Sequence, residues 1–475
     1  MLAAMDVLSL DPVPTLLGRL KDELAADFPP GQATRVARAP GRLDVMGGIA
    51  DYTGSTVLEM PLDVAAAVAM TPRSDGQIGV FSFNLLDDHK PFRLEVPLKS
   101  LARPLGDLRK DLAAPGREWA GYLLGPIAVL HEQGLVDLSA IDRGFNLAVY
   151  STVPSGGGVS SSAAVEVATM NAVVAQLGID LDGLRLAALC QRAENEVVGA
   201  PCGVMDQVAS NVGQSGTMMR MKCQPHDLLD PLPFPEGTKA VGINTNVKHS
   251  VGGGAYGRTR AAAFMGHKLI LAEMKRLADE AHKAMKGDPT GGYLANLPAD
   301  DYKTLFRPKL PESLTGRQFL DAHGDHGDPV TTLEPDRVYR VQAACDHHVL
   351  DAVRVRRFAE FLENIDQHGR EKALRSAGHL MYASHKSYGD NAGLGAAEAD
   401  AIVELVKQRE GDGLYGARIT GGGSGGTVAV LMNDTPQAAA AIDDLCEQYE
   451  SQTGLTPTLL AGTSPGAHHA GTSVV

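Results

Sequence analysis

The sequence has few of the features that mark a secreted, membrane-bound or metal-stapled protein. Its 475 residues include only five cysteines, without any Cys-x-x-Cys pair: Cys190, Cys202, Cys223, Cys345 and Cys446. An odd and scattered set indicates neither a disulfide framework nor a zinc site, so reduced thiols are expected. No stretch approaches about 18 uninterrupted apolar residues, and the start lacks the basic and apolar regions of a secretory signal. We therefore expect a cytoplasmic protein that does not enter a membrane.

Basic residues are also in deficit. The 43 Lys and Arg residues against 57 Asp and Glu residues give a formal net charge of −14. This charge repels nucleic acid, so global nucleic-acid binding is disfavoured. The chain is 44% hydrophobic and 21% charged, which is typical of a globular protein, and its length leaves room for two large lobes.

Glycine, in contrast, is abundant, and its 53 residues are clustered. The strand pattern at 145–150 leads through Pro154 into a loop before a helical pattern at 160–177. A glycine loop between a strand and a helix start directs free N–H groups and the positive end of the helix dipole at an anion. We predict a phosphate-binding loop, whose serine hydroxyls also suit Mg²⁺; the alternative is a serine-capped turn. The predicted nucleotide-binding residues are Ser155, Gly156, Gly157, Gly158, Ser160, Ser161 and Ser162.

A second glycine cluster occupies residues 421–426, with Ser424 at its centre. It satisfies Gly-x-Gly-x-x-Gly, but a strand pattern at 427–431 follows where a dinucleotide fingerprint requires a helix. We predict a loop that closes over the site from the second lobe. Gly421, Gly422 and Gly423 are therefore predicted nucleotide contacts.

A third cluster, at 39–54, places Arg42 and Asp51 among small and apolar neighbours. Charged groups in such surroundings need partners. A structural ion pair between this Arg and this Asp is the simplest explanation, and a binding role is the other.

The three clusters, in this order, resemble the GHMP kinase superfamily and within it the galactokinase branch. Residues 40–54 resemble the branch's sugar signature, 154–164 its phosphate loop and 416–423 its third motif. Three further stretches agree: 118–122, 201–207, and 244–250 with Tyr256. The resemblance spans about Arg38 to Met432, apart from 287–336.

The resemblance implies an α+β fold of two lobes with the active site in the cleft between them. The N-terminal lobe, 1–212, is expected to be like ribosomal S5 domain 2, and the C-terminal lobe, 213–461, to be ferredoxin-like. Residues 287–336, rich in Pro, Gly, Asp and His, are predicted to form a surface insertion. Residues 462–475, mostly small, are predicted to be disordered.

The resemblance also implies the roles of individual residues in a kinase that uses ATP and Mg²⁺. Asp206 corresponds to the catalytic aspartate, with Arg42 beside it. Glu194 and Ser162 correspond to the Mg²⁺ ligands, with Glu196 as a rival to Glu194. The implied sugar contacts are Asp51, Gly203 and Tyr256.

One departure concerns the sugar. Galactokinases carry Glu-His-Thr where this chain has Gly48-Ile49-Ala50, which resembles the L-arabinokinase variant of the branch. L-Arabinopyranose lacks the exocyclic carbon of galactose, and a carboxylate without that hydroxyl would be left unpaired, so Gly48 and Ile49 favour arabinose. The predicted reaction is phosphorylation of the anomeric hydroxyl of L-arabinose. A galactokinase, a galacturonate kinase and a sugar- and ATP-binding sensor without turnover are the alternatives, and the sequence indicates no oligomeric state.

Overall fold

The computed structural model describes residues 11–224, 226–247 and 254–475, so positions 248–250 of the 244–250 motif lie outside the described residues. Two β-sheets with helices packed against them form a mixed α+β fold. None of the helices in these ranges combines the length and the apolar character needed to cross a membrane. All five cysteines lie in the described ranges and are free, as expected.

The larger sheet has the strand order β14-β1-β2-β5-β3-β4, with β6 paired to β2 and β7 paired to β6. Only the β3–β5 pair is parallel among the described strands of this sheet. Its strands are β1 (Arg35–Met46), β2 (Thr56–Pro72), β3 (Gln77–Ser82), β4 (Arg93–Pro97), β5 (Phe145–Ser151), β6 (Thr217–Lys222), β7 (Asp227–Pro233) and β14 (Thr472–Val474).

The smaller sheet is antiparallel, in the order β11-β12-β8-β13. Its strands are β8 (Thr238–Asn244), β11 (Leu414–Ile419), β12 (Thr427–Asn433) and β13 (Thr458–Leu460). A separate two-stranded ribbon joins β9 (Leu314–Thr315) to β10 (Val338–Tyr339).

The helices include the long segments predicted from apolar periodicity at 258–278, 341–362 and 372–385, each extended by a few residues. They are α1 (Pro12–Glu23), α2 (Phe83–Asp87), α3 (Leu105–Leu112), α4 (Gly121–Glu132), α5 (Ser161–Leu177), α6 (Gly183–Ala193), α7 (Met205–Val212), α8 (Ala255–Glu280), α9 (Ala299–Asp301), α10 (Gly316–His323), α11 (Val341–Glu363), α12 (Ile365–His368), α13 (Arg370–Ser387), α14 (Ala397–Lys407), α15 (Pro436–Thr453) and α16 (Ala467–Ala470).

Strand β5 is buried on both faces, although its alternating pattern predicts a half-buried strand. Leu147 and Val149 pack into the core beneath α4 and α5, whereas Ala148 joins the leucines of α1 on the other face. The small side chain of Ala148 is what lets α1 cover this face, and a small residue carries little periodic signal. The first five residues of β5 are thus buried, and its last two, Tyr150 and Ser151, are half-buried where the loop segment begins.

The expected lobe boundary at residue 212 is wrong. Strand β6 pairs with β2 through Thr56–Lys222 and Glu59–Met219, so the larger sheet continues through β7. The smaller sheet begins only with β8. Helix α7 ends with Gly213 as its cap residue, but β6 and β7 follow it and still belong to the larger sheet.

The expectation of disorder at 462–475 is also wrong. This segment forms α16 and β14, and β14 pairs with β1 at Arg35, Val36 and Ala37. Gly466 packs so closely that an added Cβ would lie 2.5 Å from the Asn211 carbonyl oxygen. Backbone pairing and small-residue packing stabilise the segment, and neither produces an apolar periodicity.

The segment 287–336 has short turns and helices, as its weak periodicity predicts, but it is not only a surface feature. Its apolar residues enter the core beside the smaller sheet: Leu294, Leu297, Tyr302, Phe306, Leu310, Phe319 and Leu333.

Candidate active site

The predicted strand, glycine loop and helix are all present around residue 155. Strand β5 ends at Ser151 and α5 begins at Ser161. Ser160 precedes α5 with left-handed backbone angles, φ 62° and ψ 48°, and its side chain does not cap the helix. Its buried hydroxyl has no protein partner in the described residues. The predicted serine-capped turn is therefore not formed, and a buried hydroxyl stands unused at the helix start.

Three carbonyl groups of this loop, those of Gly157, Gly158 and Val159, accept hydrogen bonds from other parts of the protein. Arg42 donates through Nη1 to Gly158 O at 2.7 Å and through its backbone N–H to Val159 O at 3.1 Å. The Thr427 hydroxyl donates to Gly157 O at 2.7 Å. Gly157 N donates to Pro154 O, but no backbone carbonyl of the described residues accepts from the amides of 158–160. These amides, at the positive end of α5, suit a phosphate.

The second glycine loop packs directly on the first. A Cβ added at Gly421 would lie 2.7 Å from Gly158 O, and one at Gly426 would lie 2.7 Å from Gly157 O. A Cβ at Gly423 would lie 2.5 Å from Leu394 O, and Gly422 is half-buried between them. Close backbone approach explains why glycine clusters at both places. As predicted, a strand, β12, follows the second loop.

Arg42 pairs with Asp206, as the resemblance implies. Its Nε donates to Asp206 Oδ1 at 3.0 Å, and its Nη2 lies 2.9 Å from the same oxygen. The predicted structural alternative, an ion pair with Asp51, is not formed. Arg42 is 2% exposed and the Asp206 side chain 22%, so the carboxylate is the accessible member of the pair. One guanidinium thus connects the phosphate loop to the candidate catalytic carboxylate.

Glu59 is a buried second partner of Arg42 that the sequence analysis did not single out. Its Oε2 lies 3.1 Å from Arg42 Nε as an ion pair. Burial and the nearby Asp44 carboxylate raise the pKa of Glu59 well above its usual value, although Arg42 opposes the shift. Burial also disfavours the charge on Arg42, but Asp206, Glu59 and Asp44 outweigh it and raise the Arg42 pKa. The guanidinium is therefore firmly charged.

The candidate sugar residues Asp51, Gly203 and Tyr256 also lie together. A Cβ at Gly203 would lie 1.5 Å from Asp51 Oδ2, so only glycine fits against this carboxylate. Asp51 Oδ1 accepts the backbone N–H of Tyr52 at 2.6 Å, and Tyr52 in turn packs edge-to-face on Tyr256, with ring centres 5.8 Å apart. Burial and the Asp206 carboxylate raise the pKa of Asp51 to about 7.

Gly48 has a packing reason that the sequence does not reveal. Its φ is +48°, and an added Cβ would lie 1.7 Å from the Tyr388 hydroxyl. That hydroxyl accepts Ile49 N at 2.9 Å and donates to Gly421 O at 2.9 Å. Ile49 is 1% exposed and belongs to the core beside the smaller sheet, so it does not form an open wall. Tyr388 thus joins the sugar signature to the third motif.

Glu194 and Ser162, the predicted metal ligands, are in contact. Burial raises the pKa of Glu194 to about 7, and a hydrogen bond from Ser162 partly counteracts this. Glu196, the rival, is 44% exposed and pairs with Arg192 instead. Glu194 begins a π-helical turn, Glu194–Val198, a local distortion common at functional sites.

A third carboxylate, Glu166, lies on α5 behind this pair. Burial and the Glu194 charge raise the pKa of Glu166 well above its usual value. Gln207 Nε2 donates to Glu194 Oε2 at 2.6 Å and lies 3.3 Å from Glu166 Oε2. Three or more His, Cys, Asp or Glu residues placed to hold a metal are not found among the described residues. One carboxylate, one hydroxyl and an unmet need for positive charge fit a Mg²⁺ ion that takes its other ligands from phosphate and water.

The two lobes are joined by an ion pair that sequence reasoning missed. Arg418 Nη1 lies 2.9 Å from Asp44 Oδ2, and both side chains are fully buried. Asp44 also accepts the backbone N–H of Gly48 at 3.0 Å and of Gly421 at 3.1 Å. One carboxylate therefore fixes the sugar signature and the third motif at once.

Three parts of the chain match models of known protein families. Residues 123–214 match the N-terminal domain of GHMP kinases, and 359–451 match the C-terminal domain of GHMP kinases. Residues 26–72 match the galactose-binding signature of galactokinases. The fold and the site thus define a GHMP kinase.

Individual similar proteins show to which family of GHMP kinases the chain belongs. An L-arabinokinase of Arabidopsis thaliana is 35% identical over 91% of this chain, and the chain spans 46% of that protein. The galactokinase of Bos taurus is 30% identical over 86% of each chain. The chain therefore belongs to the galactokinase family of GHMP sugar kinases.

The fold expectation is confirmed by a crystal structure of Lactococcus lactis galactokinase in complex with galactose. Its TM-score is 0.71 at 20% identity, with 96% of this chain and 99% of that chain covered. At this identity the likeness concerns the fold.

Proposed function

We propose that the protein transfers the γ-phosphate of ATP to the anomeric hydroxyl of a galactose-configured sugar, with L-arabinose preferred. The observation that carries the proposal is the Arg42 side chain, which binds the phosphate loop at Gly158 O and Asp206 Oδ1 at the same time. A phosphate bound at the loop and an acceptor hydroxyl bound at Asp206 would therefore both lie next to the Arg42 guanidinium. The sensor alternative, by contrast, would be favoured by damage to these residues.

In the proposed reaction, Asp206 accepts a hydrogen bond from the anomeric hydroxyl and takes its proton as the phosphoryl group transfers. An anomeric hydroxyl is more acidic than an ordinary alcohol, so a weak base suffices when it is well placed. Arg42 stabilises negative charge that develops on the transferring group. Because the transition state is loose, positioning and charge neutralisation dominate.

The residues that would hold Mg²⁺ are Ser162 and Glu194. The ion would supply positive charge to the phosphate oxygens of ATP. Glu194, for its part, orients Gln207 and accepts the Ser162 hydrogen bond.

We expect Mg²⁺ affinity to fall as the pH drops through 7. Glu194 must be ionised to bind a cation, and burial raises its pKa to about 7 from the usual 4.5, so protonation competes with the metal at mild acidity. The measurement is the Mg²⁺ concentration for half-maximal rate with ATP saturating, at pH values on either side of 7. Glu194→Gln should raise this concentration and weaken its pH dependence to the part that protonation of the ATP phosphates causes, whereas the same pH dependence in both proteins would contradict the assignment.

The preference for arabinose follows from the backbone at 48–49. The N–H of Gly48 donates to Asp44, and that of Ile49 donates to Tyr388, so neither is free to bind an additional exocyclic hydroxyl. An unpaired hydroxyl in such a place costs about 1–3 kcal/mol. Galacturonate is less favoured still, since both cations whose charges act on Asp51 already have carboxylate partners: Arg260 pairs with Asp328 and Arg42 with Asp206.

We expect initial rates of ADP release to give a kcat/KM for L-arabinose about 10-fold or more above that for D-galactose, and lower values for D-galacturonate. Equal or reversed values would replace the arabinose proposal with a galactokinase or galacturonate kinase. No ADP release with any of the three sugars would favour the sensor.

A substitution at Gly48 tests how this part of the sugar site is built. Gly48→Ala is expected to lower kcat/KM for every sugar, because its Cβ would displace the Tyr388 hydroxyl. Combining it with Tyr388→Phe removes the clashing oxygen and should recover part of the loss. The double change Gly48→Glu with Ile49→His, which installs the galactokinase sequence, should shift the preference toward galactose only when Tyr388 is also replaced by a smaller residue. Full activity of Gly48→Ala alone would show that the backbone at 48 is not constrained by Tyr388.

A further inference from the structure

The segment 287–336, which the family resemblance does not cover, reaches the candidate sugar residues at two points. Tyr293 packs on the sugar signature, where a Cβ added at Gly54 would lie 2.7 Å from Tyr293 Cβ. Asp328, at the other end of the segment, binds Arg260 of α8. Both contacts are buried or close-packed, so the segment is part of the wall behind the sugar site.

Arg260 is held in one orientation. Its Nε donates to Asp328 Oδ2 at 2.8 Å and its Nη2 to Asp328 Oδ1 at 2.9 Å, in a bidentate pair. Arg260 is 6% exposed and Asp328 4%. The guanidinium lies over the Tyr52 ring, 5.0 Å from its centre. The planar guanidinium makes two hydrogen bonds to one carboxylate and packs on an aromatic ring, so it has little rotational freedom.

The remaining Arg260 nitrogen binds the loop that leads to α7, the helix that carries Asp206. Nη1 donates to the Cys202 carbonyl oxygen at 3.2 Å. The next residue, Gly203, lies against the Asp51 carboxylate, and α7 begins two residues later with Asp206 in its first turn. The position of this loop therefore sets how Asp51 and Asp206 face each other.

We propose that the 287–336 segment is a positioning element of the sugar site, in which Asp328 orients Arg260 and Arg260 fixes the 199–203 loop against Asp51. The inference rests on the proposed function, since it assumes that a sugar occupies the space beside Asp51. Asp328 and Arg260 act through the loop and are positioning residues.

The charges around Asp51 set its pKa, so the pH dependence of kcat/KM for the sugar can be measured as a readout. A purely structural role of Arg260 and Asp328 would not change this pH dependence. Burial and Asp206 on α7 raise the pKa of Asp51, whereas Arg260 on α8, the Tyr52 N–H and Arg42 on β1 lower it. The charge of Asp51 also acts on Tyr52, Tyr256 and Cys223, and the pKa of each is raised, mainly by burial. If ionised Asp51 accepts a sugar hydroxyl, kcat/KM for the sugar declines as the pH falls through about 7.

The decline of kcat/KM for the sugar at low pH is the acidic limb of the pH profile. Two variants are expected to move the midpoint of this acidic limb in opposite directions. Arg260→Met removes a positive charge, so the pKa of Asp51 rises and the limb moves to higher pH. Asp328→Asn leaves the Arg260 charge uncompensated, so the limb moves to lower pH. Both should raise KM for the sugar about 10-fold, since one buried hydrogen-bond network is broken, while KM for ATP stays within about two-fold. Arg260→Lys, which keeps the charge but not the fork, should raise the sugar KM and leave the limb in place.

The matched control is a second Arg–Asp pair that anchors the same segment elsewhere. Arg307 binds Asp346 of α11 through Nε at 2.7 Å and Nη2 at 2.8 Å. Asp346→Asn should leave the sugar KM and the acidic limb unchanged. The inference would be overturned by unchanged sugar KM in the Arg260 and Asp328 variants, by limbs that move in the same direction, or by equal effects of Asp346→Asn. A wild-type protein without turnover on any sugar would instead refute the proposed function, and sugar affinity measured by calorimetry across the same pH range would then decide the inference.

Discussion

Asp206→Asn is expected to lower kcat by about 10²- to 10⁴-fold, the range attributed to a positioned acid or base. The amide keeps the shape of the carboxylate but cannot take a proton, and Arg42 keeps its contacts with Glu59 and Gly158 O. Sugar binding should therefore be largely spared. Initial-rate ADP release gives kcat, and titration calorimetry gives the sugar affinity.

The control for this variant is Asp107→Asn, which removes an exposed carboxylate of α3 that pairs with Lys110. Its turnover should equal that of the unchanged protein. Near-normal kcat in Asp206→Asn would remove the proton-accepting role of Asp206, and another group would have to receive the hydroxyl proton.

The second large effect is expected on stability. Arg418→Met should lower the free energy of unfolding by about 3–5 kcal/mol, because removing one member of a buried pair leaves the other charge uncompensated. Arg418 and Asp44 are both fully buried, and the Asp44 carboxylate would keep its hydrogen bonds from the backbone amides of Gly48 and Gly421 without a cation to balance its charge. The measurement is the urea midpoint followed by circular dichroism.

The double variant Asp44→Leu with Arg418→Met tests whether the buried pair is needed for stability, for the arrangement of the site, or for both. Replacing both charges by apolar groups should recover part of the lost stability. Activity should stay low, because the amides of Gly48 and Gly421 lose their shared acceptor. Arg317→Met, in a pair whose members are 62% and 90% exposed, should hardly move the midpoint. An unchanged midpoint in Arg418→Met would show that the buried pair does not hold the lobes together.

The local patterns of the sequence were sufficient for the loops and the long helices. The predicted phosphate loop lies between a strand and a helix that are contiguous in sequence, so its backbone geometry could be predicted from a short stretch. Asp44 and Glu59 were missed, although each is a charged residue inside an apolar strand, a pattern that signals a buried partner. Their partners could not be identified, because Arg418 and Asp44 are brought together only by the fold.

The same limit applies to Arg260 and Gly48. Arg260 looks like one of several basic residues on a helix until Asp328 is placed beside it. Gly48 invites an explanation from substrate chemistry, whereas the Tyr388 hydroxyl supplies a steric one. Both depend on residues far away along the chain.

The pairing of β14 with β1 has a consequence for how the protein is made. Arg35 and Val474 are neighbours in the larger sheet, so β1 has a bare edge until translation has passed residue 474. A nascent chain on the ribosome can build the helices of the first lobe early, but its sheet gains the edge strand β14 only after the second lobe has been synthesised. Cutting the chain between β7 and β8 would consequently not yield two self-sufficient halves, and a bulky fusion placed inside 462–475 would disturb the strand that carries Arg42.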